Sequence, residues 1–86
     1  MLRITYAQTV LVTTIGLEGK LLSPWVDEVR SAVAVARAGG AVRLNLENLQ
    51  FVDPAGAELL RELQERGGVR LIAASPFVEA LLAAAL

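Results

Sequence analysis

The sequence lacks both cysteine and histidine, and the two absences exclude several kinds of chemistry. Without cysteine there is no disulfide framework, no thiol nucleophile and no thiolate metal site. Without histidine the commonest general base and the commonest metal ligand are missing. No nucleophile elbow surrounds the serines at 23, 31 and 75, and the paired glycines follow predicted helices instead of opening a phosphate-binding loop. We therefore expect no enzymatic activity, no metal site and no cofactor.

Long apolar runs and an excess of positive charge are also missing. The longest wholly apolar run covers residues 80–86, which is too short to cross a bilayer, and the N-terminus has no signal-peptide core. Eight basic against nine acidic residues argue against nucleic acid as a partner. We expect a soluble cytoplasmic domain without membrane insertion.

The length of the chain and its apolar content limit the number of domains and the size of the core. A chain of 86 residues forms one domain, residues 1–86, with a small core. Hydrophobic residues make up 55% of the chain, which is high for this size. Some of this apolar surface is expected to lie outside the core, which favours a protein partner or a homodimer.

The three prolines mark three helix starts. Each follows a residue that can cap a helix, at Ser23, Asp53 and Ser75, and proline is well suited to the first helical position. Paired glycines at 39–40 and 67–68 suit the ends of the first two helices. The sequence predicts helices at residues 24–38, 54–66 and 75–86.

Strand patterns precede and separate these helices. Alternating or apolar stretches predict strands at residues 3–6, 10–17, 42–46 and 69–74, with residues 18–20 forming a turn. The order is β-β-α-β-α-β-α, which predicts an α/β domain with a small mixed sheet of about four strands. We expect the second strand to be central and the first two strands to pair in antiparallel fashion.

The segment Asp53-Pro54-Ala55-Gly56, here named the Asp-Pro-Ala-Gly turn, connects an apolar stretch to the second helix. Asp53 is suited to cap the helix, and the positive end of a helix dipole attracts anions. The local pattern favours a helix start with only a structural role, and it also fits a recognition site. The residues themselves leave both interpretations open.

The stretch from Leu44 through Gly56 resembles the signature of STAS domains, the anti-sigma factor antagonist modules that also occur at the C-termini of sulfate transporters. In that family a strand leads into Asp-Ser-Ser/Thr-Gly and a helix. The likeness continues through residues 67–76. Residues 17–21 also resemble the L-x-G-x-L pattern that follows the second strand in this family. The resemblance therefore covers nearly the whole chain. The resemblance implies a non-enzymatic regulatory module that docks the start of this helix onto an ATPase-fold anti-sigma kinase.

This sequence departs from the family at the two hydroxyl positions, where the kinase would add a phosphate. They hold Pro54 and Ala55, so no phosphorylation is expected at either residue. We expect partner binding without the usual switch. The alternative is a STAS-like accessory subunit of a transporter or signalling complex, docked onto a transporter ATPase or onto itself. In both cases the predicted partner-binding residues are Asp53, Pro54, Ala55, Gly56, Glu58 and Arg61. If Gly56 is exposed, Gly56→Arg is expected to abolish binding and leave the fold largely intact.

Overall fold

The computed structural model describes residues 1–84, which form a mixed sheet and three helices. The last two residues of the predicted third helix lie outside the described part. In chain order the elements are β1 (Leu2–Gln8), β2 (Val12–Leu21), a 3-10 turn (Ser23–Trp25), α1 (Val26–Arg37), β3 (Ala41–Asn45), β4 (Leu49–Val52), α2 (Pro54–Glu65), β5 (Arg70–Ile72) and α3 (Pro76–Ala84).

The sheet is built around β2, as predicted. Strand β1 pairs with β2 in antiparallel fashion, while β2 pairs with β3, and β3 with β5, in parallel. The main path through the sheet is β1-β2-β3-β5. Parallel neighbours need a crossover, and the helices supply these connections.

The predicted number of strands was too low by one. Strand β4 pairs in parallel with the carboxyl-terminal end of β2, beyond the part of β2 that pairs with β3. The predicted turn at residues 18–20 is wrong, because β2 continues through it to Leu21. Gly19 lies in the left-handed region at φ 99° and marks a register shift instead of a chain reversal.

The core lies between the helices and one face of the sheet. Alternating residues of β2 and β3 point into it, and Ile15, Leu17 and Leu44 are fully buried. Val29 of α1 and Leu60 of α2 close it from the helix side. Within the described chain every buried side chain in this core is apolar. The opposite face of the sheet carries polar side chains, including exposed Arg43 and Arg70 in register on β3 and β5.

The helix starts differ in how they are capped. Ser75 caps α3, because its Oγ accepts a hydrogen bond of 3.1 Å from the backbone N–H of Val78. The prediction that Ser23 caps the first helix is wrong. Ser23 and Pro24 belong to the 3-10 turn, and α1 begins at Val26 without a side-chain cap.

Candidate functional site

Asp53 holds the Asp-Pro-Ala-Gly turn in place with both oxygens of its carboxylate. Oδ1 accepts a hydrogen bond of 2.7 Å from the backbone N–H of Gly56, which confirms the predicted helix cap. Oδ2 accepts another bond of 2.7 Å from the backbone N–H of Ser23, 30 residues earlier in the chain. Asp53 also donates its own backbone N–H to the carbonyl of Leu21 at 3.1 Å. The residue therefore joins the end of β2, the 3-10 turn and the start of α2.

Pro54 and Ala55 form the first turn of α2. Pro54 is exposed and Ala55 is half-buried. Proline fixes its own φ near the helical value and loses no hydrogen bond at this position. The outer surface of the turn is therefore rigid and apolar, and neither side chain carries a hydroxyl.

Gly56 does not lie on the surface of the turn. It is buried, and a Cβ added there would lie 2.6 Å from the carbonyl oxygen of Leu21 and 2.9 Å from its Cγ. The expectation that Gly56→Arg spares the fold requires an exposed Gly56, and that condition is not met, because α2 crosses β2 too closely for a larger side chain. Gly56 contributes to the site by bringing the helix start against the sheet.

Glu58 and Arg61 extend the site along α2. Glu58 is exposed, whereas Arg61 is half-buried. Nε and Nη1 of Arg61 are hidden from solvent and have no hydrogen-bond acceptor among the described residues. Buried donors are nearly always paired in folded proteins, so this guanidinium is unusual. A shallow cleft of about 140 Å³ adjoins it, lined by Glu58, Arg61, Glu62, Glu65 and Arg66.

The structure brings one residue to the turn that sequence reasoning placed elsewhere. Ser23 is exposed, and its backbone N–H is bound by Asp53. The Ser-Pro pair suggested a helix cap, which hid this long-range contact. No local pattern in the sequence could have revealed it, because the two residues meet only through the pairing of β2 with β4.

A separate groove of about 710 Å³ lies between α1 and β1. Trp25 borders it and packs partly against the core, while Tyr6 and Val35 line it and are 63% and 77% exposed. Trp25 therefore lies at the edge of the core. The groove does not include any residue of the Asp-Pro-Ala-Gly turn.

Within residues 1–84, no group of three or more Asp and Glu side chains is arranged to hold a metal ion. None of the helices within that range is both long and apolar enough to cross a membrane.

Comparison with known proteins identifies the fold. No model of a protein family and no curated protein matches the chain. Among solved structures, the anti-sigma factor antagonist SpoIIAA in its unphosphorylated form aligns with 96% of this chain and 82% of its own, at 24% identity and a TM-score of 0.66. The Bacillus cell fate determinant SpoIIAA in the phosphorylated form aligns with 94% of this chain and 81% of its own, at 23% identity and a TM-score of 0.67.

A third solved structure, that of Mglu, shares the fold over a smaller part of its length. It aligns with 78% of this chain but only 18% of its own, at 26% identity and a TM-score of 0.62. The two SpoIIAA structures cover nearly the whole chain and agree with the resemblance seen in the sequence. The chain therefore has the STAS fold of the SpoIIAA anti-sigma factor antagonists.

Proposed function

We propose that this chain is a regulatory protein-binding module that docks a partner protein through the start of α2. The observation that carries the proposal is the rigid Asp-Pro-Ala-Gly turn, which is held by two hydrogen bonds of 2.7 Å to the Asp53 carboxylate and presents exposed Pro54 to solvent. A surface that is already ordered loses little conformational entropy when a partner binds. The similarity in fold to anti-sigma factor antagonists supports the same role.

The residues of the site divide between contact and support. Pro54, Ala55 and Glu58 are the contacts at the centre of the interface, with Arg61 beside them. Asp53 and Gly56 support the turn without contacting the partner. Both carboxylate oxygens of Asp53 already accept hydrogen bonds, and Gly56 is buried. The fitting partner offers an apolar surface to Pro54, a cation to Glu58 and a carboxylate or carbonyl to Arg61. An anti-sigma factor or ATPase-fold kinase is the partner class that the fold favours.

Binding at this site is not switched by phosphorylation of the turn. A phosphate would add between about −1.5 and −2 charges to a tight interface and so end binding. Pro54 and Ala55 have no hydroxyl to receive it. Ser23 is the exposed serine bound beside the turn, so it is the position at which a displaced switch would be detected.

A second candidate function is that of a structural subunit in a transporter or signalling complex. The match to 18% of Mglu favours this alternative, since the same fold is there part of a much longer chain. Loss of both hydroxyls also suits a permanent contact better than a switched one. Both candidates are non-enzymatic, and both use the same face of α2.

Capture from native cytoplasm followed by mass spectrometry tests the proposal. Glu58→Arg reverses an exposed charge at the centre of the site, and Glu47→Arg makes the same change in the exposed turn between β3 and β4. We expect native protein and Glu47→Arg to retain an anti-sigma factor or ATPase-fold kinase that Glu58→Arg does not retain. A transporter ATPase with the same dependence would support the structural role. Equal retention by Glu58→Arg would contradict docking through α2.

A further inference from the structure

Strand β1 forms one edge of the sheet, and its outer side has no neighbour within residues 1–84. Two hydrogen bonds show which backbone groups point outward. Lys20 donates to the carbonyl of Met1 at 3.2 Å, and Thr9 donates to the carbonyl of Val12 at 2.8 Å. In an antiparallel pair, directly opposed residues alternate between bonded and non-bonded pairs. Odd-numbered residues of β1 therefore bond to β2, and even-numbered residues direct their N–H and C=O groups to the open edge.

This edge carries little of the common protection against pairing with another strand. Natural edge strands are kept apart by proline, lysine, bulges or short length. Strand β1 has seven residues in uninterrupted register with β2, contains no proline or lysine, and carries only one charge, on Arg3. Its even-numbered side chains, from Leu2 to Gln8, lie on the helix side of the sheet, where Tyr6 is 63% exposed.

We propose that the open edge of β1 pairs with the same edge of a second copy of this chain. This inference does not depend on the proposed function of α2. An antiparallel pairing about a two-fold axis at Thr5 places Ile4 opposite Tyr6 of the second copy and Leu2 opposite Gln8. It uses all four outward-facing residues of each strand and forms about eight inter-strand hydrogen bonds. Shifting the register by one residue would mispair these groups and exchange the two faces.

Charge and packing select the same register. A shift of the two-fold axis to Arg3 would bring two arginines directly opposite each other and leave fewer outward groups paired. With the axis at Thr5, Arg3 lies opposite Ala7, and the two arginines are separated by about four residues, roughly 13 Å along the strand. On the helix side, the pairing of Ile4 with Tyr6 is the aromatic–aliphatic kind that stabilises sheets. The groove between β1 and α1 leaves room for the incoming tyrosine beside Val35.

The absence of cysteine permits a direct test with single-cysteine variants. In the proposed register the two copies of Thr5 are a directly opposed non-bonded pair, with Cα atoms about 4.5 Å apart. That separation suits a disulfide, which needs about 4.4–6.8 Å. The matched control is Ala7→Cys, on the same face of β1, where the two cysteines would be roughly 13 Å apart. Ala7 is exposed and Thr5 is half-buried, so random collisions would favour the control.

We expect mild oxidation to give a covalent dimer of Thr5→Cys and to leave Ala7→Cys monomeric. Cross-linking of Ala7→Cys at an equal or greater rate, or of neither variant, would overturn the proposed pairing. Sedimentation equilibrium supplies an independent measurement. Tyr6→Pro removes one outward N–H without breaking a bond to β2, and it should raise the dimer dissociation constant by about tenfold or more.

The sedimentation control is Val10→Lys, which changes an exposed residue between β1 and β2. It should dimerise like the native protein. A native chain that stays monomeric at all accessible concentrations would overturn the proposal, as would a dimer whose dissociation constant is unchanged by Tyr6→Pro. Circular dichroism shows whether the proline variant is folded; if it is not, the cysteine pair decides the question.

Discussion

Replacing Asp53 with alanine should destabilise the protein more than loss of an ordinary helix cap. The bond from the Gly56 N–H is a cap contact, and losing such a contact costs about 0.5–2 kcal/mol. The bond from the Ser23 N–H also ends on a charged acceptor. Since Ser23 is exposed, water replaces part of that bond, and its loss adds about 1 kcal/mol.

The sum is about 1.5–3 kcal/mol, which corresponds to a fall in melting temperature of roughly 6–24 °C for a domain of this size. Asp53→Asn keeps one oxygen for Gly56 but presents an amide N–H to Ser23, so an intermediate loss of about 1–2 kcal/mol is expected. Ser75→Ala removes a single cap bond from α3 and should cost about 1 kcal/mol. Urea denaturation followed by circular dichroism measures all three. If Asp53→Ala lowers the free energy of unfolding no more than Ser75→Ala does, the inference that Asp53 makes two stabilising hydrogen bonds is refuted.

Two further substitutions test the packing of α2. Gly56→Ala should destabilise by about 1–3 kcal/mol despite the better helix propensity of alanine, because the new Cβ would lie 2.6 Å from the Leu21 carbonyl oxygen. Gly39→Ala is the control, since its Cβ would lie 3.6 Å from the nearest atom of a non-adjacent residue, a backbone carbonyl oxygen, which is an ordinary contact distance. A similar loss of stability in both variants would contradict the steric argument. Arg61→Met removes two unpaired buried donors, so it should leave the free energy of unfolding unchanged or raise it by up to about 2 kcal/mol. It should also weaken partner capture, because Arg61 lies in the proposed binding site. A marked loss of stability in denaturation would show that the guanidinium is satisfied in the folded protein.

Much of the fold follows from local signals in the sequence. Prolines after Asp53 and Ser75 mark two helix starts, and both residues do cap their helices. The alternation of Val42, Leu44 and Leu46 identifies β3 and its buried face. These signals are reliable because each depends on residues within a few positions of one another.

The errors share a different cause, which is pairing between distant parts of the chain. Strand β4 is only four residues long and follows a tight turn in which Leu49 donates to the carbonyl of Leu46. It exists because β2 extends far enough to pair with it, and Gly19 was interpreted as part of a turn although it lies inside β2, where the register with β4 shifts. The same pairing brings Ser23 to Asp53. Periodicity cannot reveal contacts of this kind.

The local structure around the candidate site was predicted more accurately in outline than in detail. The turn and α2 lie where the sequence places them, and Pro54 and Glu58 are exposed. The buried position of Gly56 could not be predicted, because glycine serves equally at a surface and at a close crossing of two backbones. Asp53 likewise has a second acceptor role that only the folded chain reveals.

We propose that the start of α2 binds its partner without a phosphorylation switch. The most direct measurement is the mass of the chain, and its retention by the purified partner kinase, after incubation with ATP. The native chain should stay unmodified and bound, whereas Ala55→Ser, which restores a hydroxyl to the turn, should gain a phosphate and dissociate. Phosphate on the native chain, at Ser23 or elsewhere, accompanied by its release would contradict the claim. Absence of phosphate on Ala55→Ser would show that the partner does not phosphorylate this turn even when a hydroxyl is present, and would contradict the proposed role of Pro54 and Ala55 in removing the switch.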